Sequence, residues 1–314
     1  MNPKILIAFA AIGALSPLVV QAKIERTVEK TFTVSPGGTL KVETSGGNIN
    51  VSTGDSDQVK VVAHERFRTD SESEADDVSK QLRVEIEQHG NDVSAFAKYE
   101  GAKLGGFWHS GSTPVYVSFD VIVPKKYEAN LKTSGGNIEV ADLNGAVDAK
   151  TSGGNIKLGD IDGKAEVRTS GGNIEIRGVT RSVDANTSGG DIRVSQVDGD
   201  ASLHTSGGNI HVDSAGGILS ATTSGGDVSA TFARAPKGDC ELRTSGGNVT
   251  AKIGAEAAVH LDASTSGGAV RVSGSGVDVQ SGGNGKSKLV ANVRGGGPTL
   301  TLRTSGGDVR IAAD

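Results

Sequence analysis

The hexapeptide Thr-Ser-Gly-Gly-Asn-Ile at residues 133–138 decides the fold, because it recurs along the chain with a fixed spacing. Thr-Ser-Gly-Gly, followed by Asn or Asp and then by Ile or Val, begins every 18 residues at Thr133, Thr151, Thr169, Thr187, Thr205 and Thr223. It returns at Thr244, at Thr265 with Ala269 in the Asn position and at Thr304, with a degenerate copy at Ser281-Gly282-Gly283 and an isolated copy at Thr44. This periodicity indicates a repeat architecture.

Each repeat has the pattern of two short β-strands joined by two turns. Apolar and polar residues alternate in residues 137–140 and again in 146–151, as in strands with one buried face. Gly-Gly makes one turn and Asn144-Gly145 the other, and both accept a positive φ. Two strands cannot bury a face alone, but coils stacked about 4.8 Å apart enclose a continuous core. We therefore predict an all-β, single-stranded β-solenoid of two-strand coils; a propeller blade needs roughly twice this length.

The residues four and two positions before each motif Thr are predicted to fill the interior. Large and small residues exchange places from coil to coil in the pairs Val147/Ala149, Ala165/Val167, Val183/Ala185, Ala201/Leu203, Leu219/Ala221, Cys240/Leu242 and Leu261/Ala263. This alternation keeps the side-chain volume nearly constant where neighbouring coils interdigitate. Stacking requires such a pattern, whereas tandem duplication alone does not.

Outward positions are predicted to carry charges of opposite sign on neighbouring coils. One such column is Glu139, Lys157, Glu175 and Arg193, and on the other strand Asp148, Glu166 and Asp184 run beside Lys150 and Arg168. Cross-strand pairs of this kind stabilise a sheet by a few tenths of a kcal/mol to about 1 kcal/mol. A third column, in which Asn side chains could hydrogen-bond along a ladder, consists of Asn137, Asn155, Asn173, Asp191, Asn209, Asp227 and Asn248.

The chain divides into three parts. Residues 1–22 have the basic start (Lys4), the apolar run and the small final residue of a secretory signal peptide, with a retained anchor as the alternative. Residues 23–132 hold a first coil, near 37–50, and an inserted capping region; residues 133–314 form the repeat array. The protein is therefore expected in the periplasm or at the cell surface, without a stable membrane span.

The inserted region is predicted to contain a helix at 71–82 capped by Ser71 or Ser73, and a hairpin at 83–99. A strand at 116–123 follows a Gly-rich loop. A solenoid end exposes unpaired backbone, so we expect this region to cap the N-terminal end. No cap is evident after Asp314, which leaves end-to-end association open.

Composition excludes several classes of function. A net charge of −5 with mixed signs gives no basic footprint for nucleic acid. The single cysteine, Cys240, excludes an internal disulfide framework, and its inward column indicates an inert, buried thiol.

The repeated Thr-Ser-Gly-Gly-Asn-Ile, the upstream Gly-Gly-Thr-Leu-Lys-Val-Glu-Thr-Ser-Gly-Gly-Asn-Ile and Phe-Asp-Val-Ile-Val-Pro at 119–124 resemble the bacterial putative-adhesin β-solenoid family, a domain of unknown function. The resemblance covers nearly the whole mature chain. It implies an exported β-helical protein of the cell envelope, and it supplies no catalytic residues.

Enzymes of polysaccharide metabolism on β-helices are the main rival class. They need clustered carboxylates on one face, whereas the carboxylates here are evenly spaced among bases, and Phe232, the only aromatic residue after Thr133, occupies an inward position. Asp160-Ile161-Asp162-Gly163 and Asp198-Gly199-Asp200 lack a calcium-loop pattern and fit strand-to-strand turns. His204 and His211 are expected on different sheets. We therefore predict no enzyme activity, no metal and no cofactor.

Phe107, Trp108 and His109, in the Gly-rich loop, are the candidate partner-binding residues. A Trp in such a segment can anchor a glycan or a protein; the alternative is that the rings pack on the first coils as part of the cap. The sequence thus favours a scaffold that binds a cell-surface or envelope glycan or protein. A purely structural or stress-linked envelope protein is the alternative.

Overall fold

The computed structural model describes residues 23–101 and 113–314. Within these residues the chain forms two sheets, of 13 and 14 strands, and one short helix. Apolar residues from both sheets form a single core cluster. This confirms the predicted all-β solenoid. No helix among the described residues is long and apolar enough to cross a membrane.

The elements are as follows in chain order. The N-terminal part contains β1 (Glu25–Thr33), β2 (Thr39–Thr44), β3 (Ile49–Gly54), β4 (Gln58–Phe67), α1 (Glu72–Ser79), β5 (Leu82–His89), β6 (Asp92–Tyr99) and β7 (Val115–Pro124). The regular coils contain β8 (Glu128–Lys132), β9 (Ile138–Val140), β10 (Val147–Lys150), β11 (Ile156–Ile161), β12 (Ala165–Arg168), β13 (Ile174–Val179), β14 (Val183–Asn186), β15 (Ile192–Val197), β16 (Ala201–His204), β17 (Ile210–Ala215), β18 (Leu219–Thr222), β19 (Val228–Arg234), β20 (Cys240–Arg243) and β21 (Val249–Glu256). The C-terminal part contains β22 (Val259–Thr265), β23 (Val270–Gly274), β24 (Val277–Gly282), β25 (Lys288–Val293), β26 (Thr299–Thr304) and β27 (Val309–Ala313).

Successive coils stack in parallel, in the register that the sequence period predicts. The first sheet takes β9, β11, β13, β15, β17, β19 and β21 in order, and the second takes β8, β10, β12, β14, β16, β18 and β20. On the second sheet, Val147 lies between Ala129 and Ala165, while Ala149 lies between Leu131 and Val167. From β8 to β20 each large residue therefore has small neighbours, and the predicted alternation is confirmed there. The prediction is wrong for the step from Cys240/Leu242 to Leu261/Ala263, because Leu300 and Leu302 lie between these two pairs.

The second glycine of each coil corner is required by the close approach of two backbones. A Cβ on Gly154 would overlap the carbonyl oxygen of Gly136 in the preceding coil, and a Cβ on Gly145 would overlap that of Tyr127. The prediction of positive φ at these turns is wrong. The glycines with positive φ among the described residues are Gly37, Gly90, Gly274, Gly276, Gly282, Gly285, Gly295 and Gly296, which lie outside the regular coil corners.

The inserted region extends both sheets beyond the first coil. In the first sheet β7 pairs in parallel with β3, β4 pairs antiparallel with β7, and β1 pairs antiparallel with β4. In the second sheet β6 pairs in parallel with β2, and β5 pairs antiparallel with β6. The helix α1 begins after Ser71, whose hydroxyl accepts the Glu74 N–H at 3.4 Å, so Ser71 is the N-cap residue.

The C-terminal end departs from the predicted order of coils. β26 lies between β20 and β22, and β27 lies between β21 and β23, so Asp314 is not at the end of the solenoid. The outer edge of the second sheet is the antiparallel hairpin of β24 and β25, which pairs with β22. The degenerate copy at residues 281–283 belongs to this hairpin, so its interpretation as a further repeat is wrong. In this hairpin β25 pairs with β22 on the side away from β26, in the position that a further coil would occupy.

Candidate functional site

The motif Thr forms a buried hydrogen-bonded column between the two sheets. Thr151 donates its hydroxyl to the carbonyl oxygen of Gly136 in the preceding coil at 2.9 Å, and the Thr151 hydroxyl oxygen in turn accepts the N–H of Gly154 at 3.3 Å. Equivalent pairs of bonds follow at Thr133, Thr169, Thr187, Thr205, Thr244, Thr265 and Thr304. Thr is therefore a structural residue of the corner, a role that the sequence reasoning missed.

The Asn/Asp column is a ladder in which the main chain donates. The N–H of Asn155 donates to Oδ1 of Asn137 at 2.8 Å, and the N–H of Asn173 donates to Oδ1 of Asn155 at 2.7 Å. Asp serves equally because only an acceptor oxygen is needed, as at Asp191, which accepts from the N–H of Asn209 at 2.7 Å. The predicted ladder is confirmed, with the backbone N–H as its principal donor.

The outer face of the second sheet carries a line of alternating charges, which we call the charged face (Asp148, Lys150, Glu166, Arg168 and Asp184). Nζ of Lys150 lies 2.9 Å from Asp148 and 3.7 Å from Glu166, and Arg168 pairs with Asp184 at 3.0 Å and with Glu166. The hydrogen bond to Asp148 is the main cause that raises the pKa of Lys150. An open groove beside this line is lined by residues that include Lys164 and Ile218.

The outer face of the first sheet carries the second predicted column. Lys157 lies in register with Glu139 on one side and with Glu175 on the other, and Glu175 lies beside Arg193. The predicted alternation of charge is confirmed in register.

Near that column, Arg177 connects carboxylates of two other coils. Its guanidinium lies 2.7 Å from Asp160 and also contacts Asp142. Both predicted faces thus consist of exposed side chains fixed on consecutive strands.

His211 has two polar partners on the first sheet. Nδ1 lies 2.6 Å from Oγ of Ser229 in the next coil, and Nε2 lies 2.6 Å from Oδ1 of Asp213. The order of groups is that of a serine-hydrolase triad, but the three side chains lie on an open sheet face, and a triad alone lacks the donors that stabilise an oxyanion. His204 lies on the second sheet, as predicted.

The acidic turns make contacts within the protein. Asp162 accepts the Thr180 hydroxyl at 2.8 Å, Asp198 accepts from the Gln196 side chain at 2.9 Å, and Asp200 accepts the N–H of Ile218 at 2.9 Å. Over residues 23–101 and 113–314, no group of three or more His, Cys, Asp or Glu side chains is placed to hold a metal ion.

The candidate partner-binding residues and the single cysteine have different outcomes. Phe107, Trp108 and His109 lie outside the described residues; they join β6 to β7 in the sequence. Cys240 is buried in the interior column, as predicted, and burial is the main cause that raises the pKa of its thiol.

These features define a parallel β-solenoid, a repeat protein whose motif residues fix the stacking of its coils. The chain belongs to the Toastrack DUF4097 family, whose sequence model matches residues 38–312. No curated protein matches it in sequence.

Three solved structures are similar to this chain. A putative lipid binding protein from Parabacteroides distasonis is 16% identical, with 90% of this chain and 96% of that chain covered and a TM-score of 0.45. A putative adhesin from Bacteroides fragilis is 11% identical, with 92% and 97% covered and a TM-score of 0.40. A putative cell adhesion protein from Clostridium sporogenes is 11% identical, with 92% and 100% covered and a TM-score of 0.20.

Proposed function

We propose that this chain is an exported, non-enzymatic scaffold that binds a glycan or a protein of the cell surface or cell envelope. The charged face carries the proposal, because it holds charged side chains of both signs at a repeated spacing on a rigid support. The signal-like residues 1–22 support a location in the periplasm or at the cell surface.

The energetics of the charged face favour a role in binding. Its side chains are about 34 to 45% exposed, and ion pairs of this kind contribute only about 0–1 kcal/mol to stability. Their strands are fixed by ladders on both sides, so little ordering remains to be done when a ligand binds. A polymer with repeated charges or hydroxyl groups would meet the same pattern at each coil.

The test is an array of glycans and cell-envelope polymers, probed with the mature chain and two matched double variants. Lys150→Ala with Arg168→Ala alters the charged face, and Lys157→Ala with Arg193→Ala removes the same charge from the first sheet. We expect at least tenfold weaker binding for the first variant only, with both melting temperatures within a few degrees of the parent. Binding that is unchanged in the first variant, or no binding by the parent chain, would overturn the proposal.

Phe107, Trp108 and His109 are proposed as a second contact with the same partner. Trp108→Ala, probed on the same array, is expected to weaken binding without lowering the melting temperature. A large loss of stability with binding intact would instead assign these residues to the cap.

A further inference from the structure

Residues 299–313 form a complete coil, the inserted coil, between two coils that are consecutive in the sequence. β26 pairs in parallel with β20 and β22, and β27 pairs in parallel with β21 and β23. The two flanking coils, residues 240–256 and 259–274, are joined only by Ala257 and Ala258. The slot between them is thus filled by a distant part of the chain.

The slot recognises the inserted coil through the same contacts that join every other pair of coils. Thr304 donates its hydroxyl to the carbonyl oxygen of Gly247 at 2.7 Å, and Thr265 donates to that of Gly307 at 2.7 Å. The Asn/Asp ladder also continues through the inserted coil on both sides. None of these contacts requires that the coil and the slot belong to one chain.

The flanking coils also have the sequence needed to stack on each other directly. Cys240 and Leu242 present a small and then a large residue, and Leu261 and Ala263 present the reverse order. This is the alternation that joins the regular coils, and the inserted coil interrupts it. The two flanking coils can therefore stack on each other when the inserted coil leaves. This lowers the free-energy cost of releasing the inserted coil.

The connection into the slot is a short hinge at residues 294–298, with the sequence Arg-Gly-Gly-Gly-Pro. Arg294 has a φ of 51° and is the one non-glycine residue with positive φ in the described part of the chain; Gly295 and Gly296 have φ values of 87°. A left-handed conformation is unfavourable for a non-glycine residue, because its Cβ lies too close to the following carbonyl oxygen. Strained short hinges favour exchange between copies, because the strain is released when the hinge opens.

We propose that the inserted coil is exchangeable, and that two copies of this chain join by each placing its inserted coil in the slot of the other. Leu300, Leu302, Val309 and Ile311 are buried in the slot, so a released coil exposes an apolar strip. The equivalent slot of a second copy buries that strip with identical contacts. The partner is therefore a second copy of this chain, joined through its C-terminal coil.

The test distinguishes a coil held in its own chain from one held in a partner. Glu241 and Thr301 lie side by side on β20 and β26, about 4.8 Å apart along the stack, which suits a disulfide. Glu241→Cys with Thr301→Cys, in a Cys240→Ala background, reports the origin of the inserted coil. Ser220→Cys with Glu241→Cys is the matched control, because those residues lie side by side on consecutive coils of one chain.

Mature chains are refolded at low and at high concentration, sized by light scattering, oxidised and separated on a non-reducing denaturing gel. We expect a dimer fraction that grows with concentration, in which the first pair gives covalent dimers and the control pair gives monomers. A constant monomer mass at every concentration, or a dimer in which the first pair cross-links within single chains, would overturn the proposal. Deletion of Gly295 and Gly296 shortens the hinge and is expected to raise the dimer fraction several-fold; an unchanged fraction contradicts the hinge's role.

Discussion

Thr169 donates its hydroxyl to the carbonyl oxygen of Gly154 in the neighbouring coil, with 2.8 Å between the two oxygens. The same hydroxyl oxygen accepts the N–H of Gly172 at 3.2 Å, three residues further along its own chain. Thr169 is 6% exposed, so water does not replace these bonds if they are lost. One side chain therefore satisfies two buried backbone groups on adjacent coils.

The first prediction concerns this hydroxyl. Thr169→Val keeps the shape of the side chain but leaves a buried carbonyl and a buried N–H without partners, so we expect the free energy of unfolding to fall by about 1–3 kcal/mol. Urea unfolding followed by circular dichroism measures the change. Thr169→Ser, which keeps the hydroxyl, should lose less, and the exposed Ser170→Ala should lose almost nothing. Equal losses for Val and Ser would assign the effect to packing.

The second prediction separates the two glycines of one corner. A Cβ on Gly172 would overlap the backbone of Gly154, whereas a Cβ on Gly171 would lie 3.8 Å from the nearest backbone oxygens. We expect Gly172→Ala to lower the free energy of unfolding by about 1–3 kcal/mol, because the coils must move apart. Gly171→Ala should be neutral or stabilising by up to about 1 kcal/mol, since it restricts the unfolded chain. The same urea experiment measures both, and a reversed order would contradict the close-approach explanation.

The sequence was sufficient to predict the register, the interior and the charged columns. Val147 and Ala149 have inward side chains because of the two-residue period, and their neighbours follow from the 18-residue period. Both periods are local properties of the chain. The helix start was predicted at Ser71 or Ser73 for the same reason, since capping depends on residues within one turn, and Ser71 is the N-cap residue.

The role of the corner and the order of the last coils could not be predicted in this way. Gly-Gly indicates a turn. Whether its second glycine is needed for a positive φ or for the close approach of two backbones depends on the neighbouring coil, as at Gly154. The copy at Thr304 has the same motif as its neighbours, so the motif does not specify which coils flank it. Only the three-dimensional path through the hinge at 294–298 shows that it is inserted.

The third prediction tests the side-chain acceptor in the Asn/Asp ladder. Oδ1 of Asn173 accepts the N–H of Asp191 at 2.8 Å, so Asn173→Asp keeps the acceptor and should change stability by less than about 0.5 kcal/mol. Asn173→Ala removes it and should cost about 0.5–1.5 kcal/mol. Ala269 directly precedes β23, the end strand of the first sheet, so among the described residues no further strand of that sheet donates to this position. Ala269→Asn is therefore expected to add nothing, and thermal unfolding compares the three variants.

A buried carboxyl group in the inserted region, that of Glu65, is expected to make the stability of the fold depend on pH. Glu65 on β4 is 7% exposed and lies opposite Arg26 on β1. Burial raises the pKa of its carboxyl, and the charge of Arg26 partly offsets this. Arg26 is itself paired with Glu72 at 3.1 Å and Asp76 at 2.6 Å, and its guanidinium lies over the ring of Phe67. The positive charge of Arg26 is thus also paired with two carboxylates of the helix, and not with Glu65 alone.

The fourth prediction follows from the sign of that shift. A carboxyl whose pKa is higher in the folded state binds its proton more tightly there, so its contribution to stability is full below the unfolded pKa and is lost as pH rises through the folded pKa. Glu65→Gln stays neutral and should therefore be more stable than the parent at pH 7.5, with the difference shrinking towards pH 4. Melting temperatures across this range measure the difference, and Glu29→Gln, an exposed acid on β1, is the control. A variant that is less stable than the parent at pH 7.5, with the gap closing towards pH 4, would show that the Arg26 pairing outweighs burial. It would make Glu65 part of the ion-pair network that joins Arg26 to the helix.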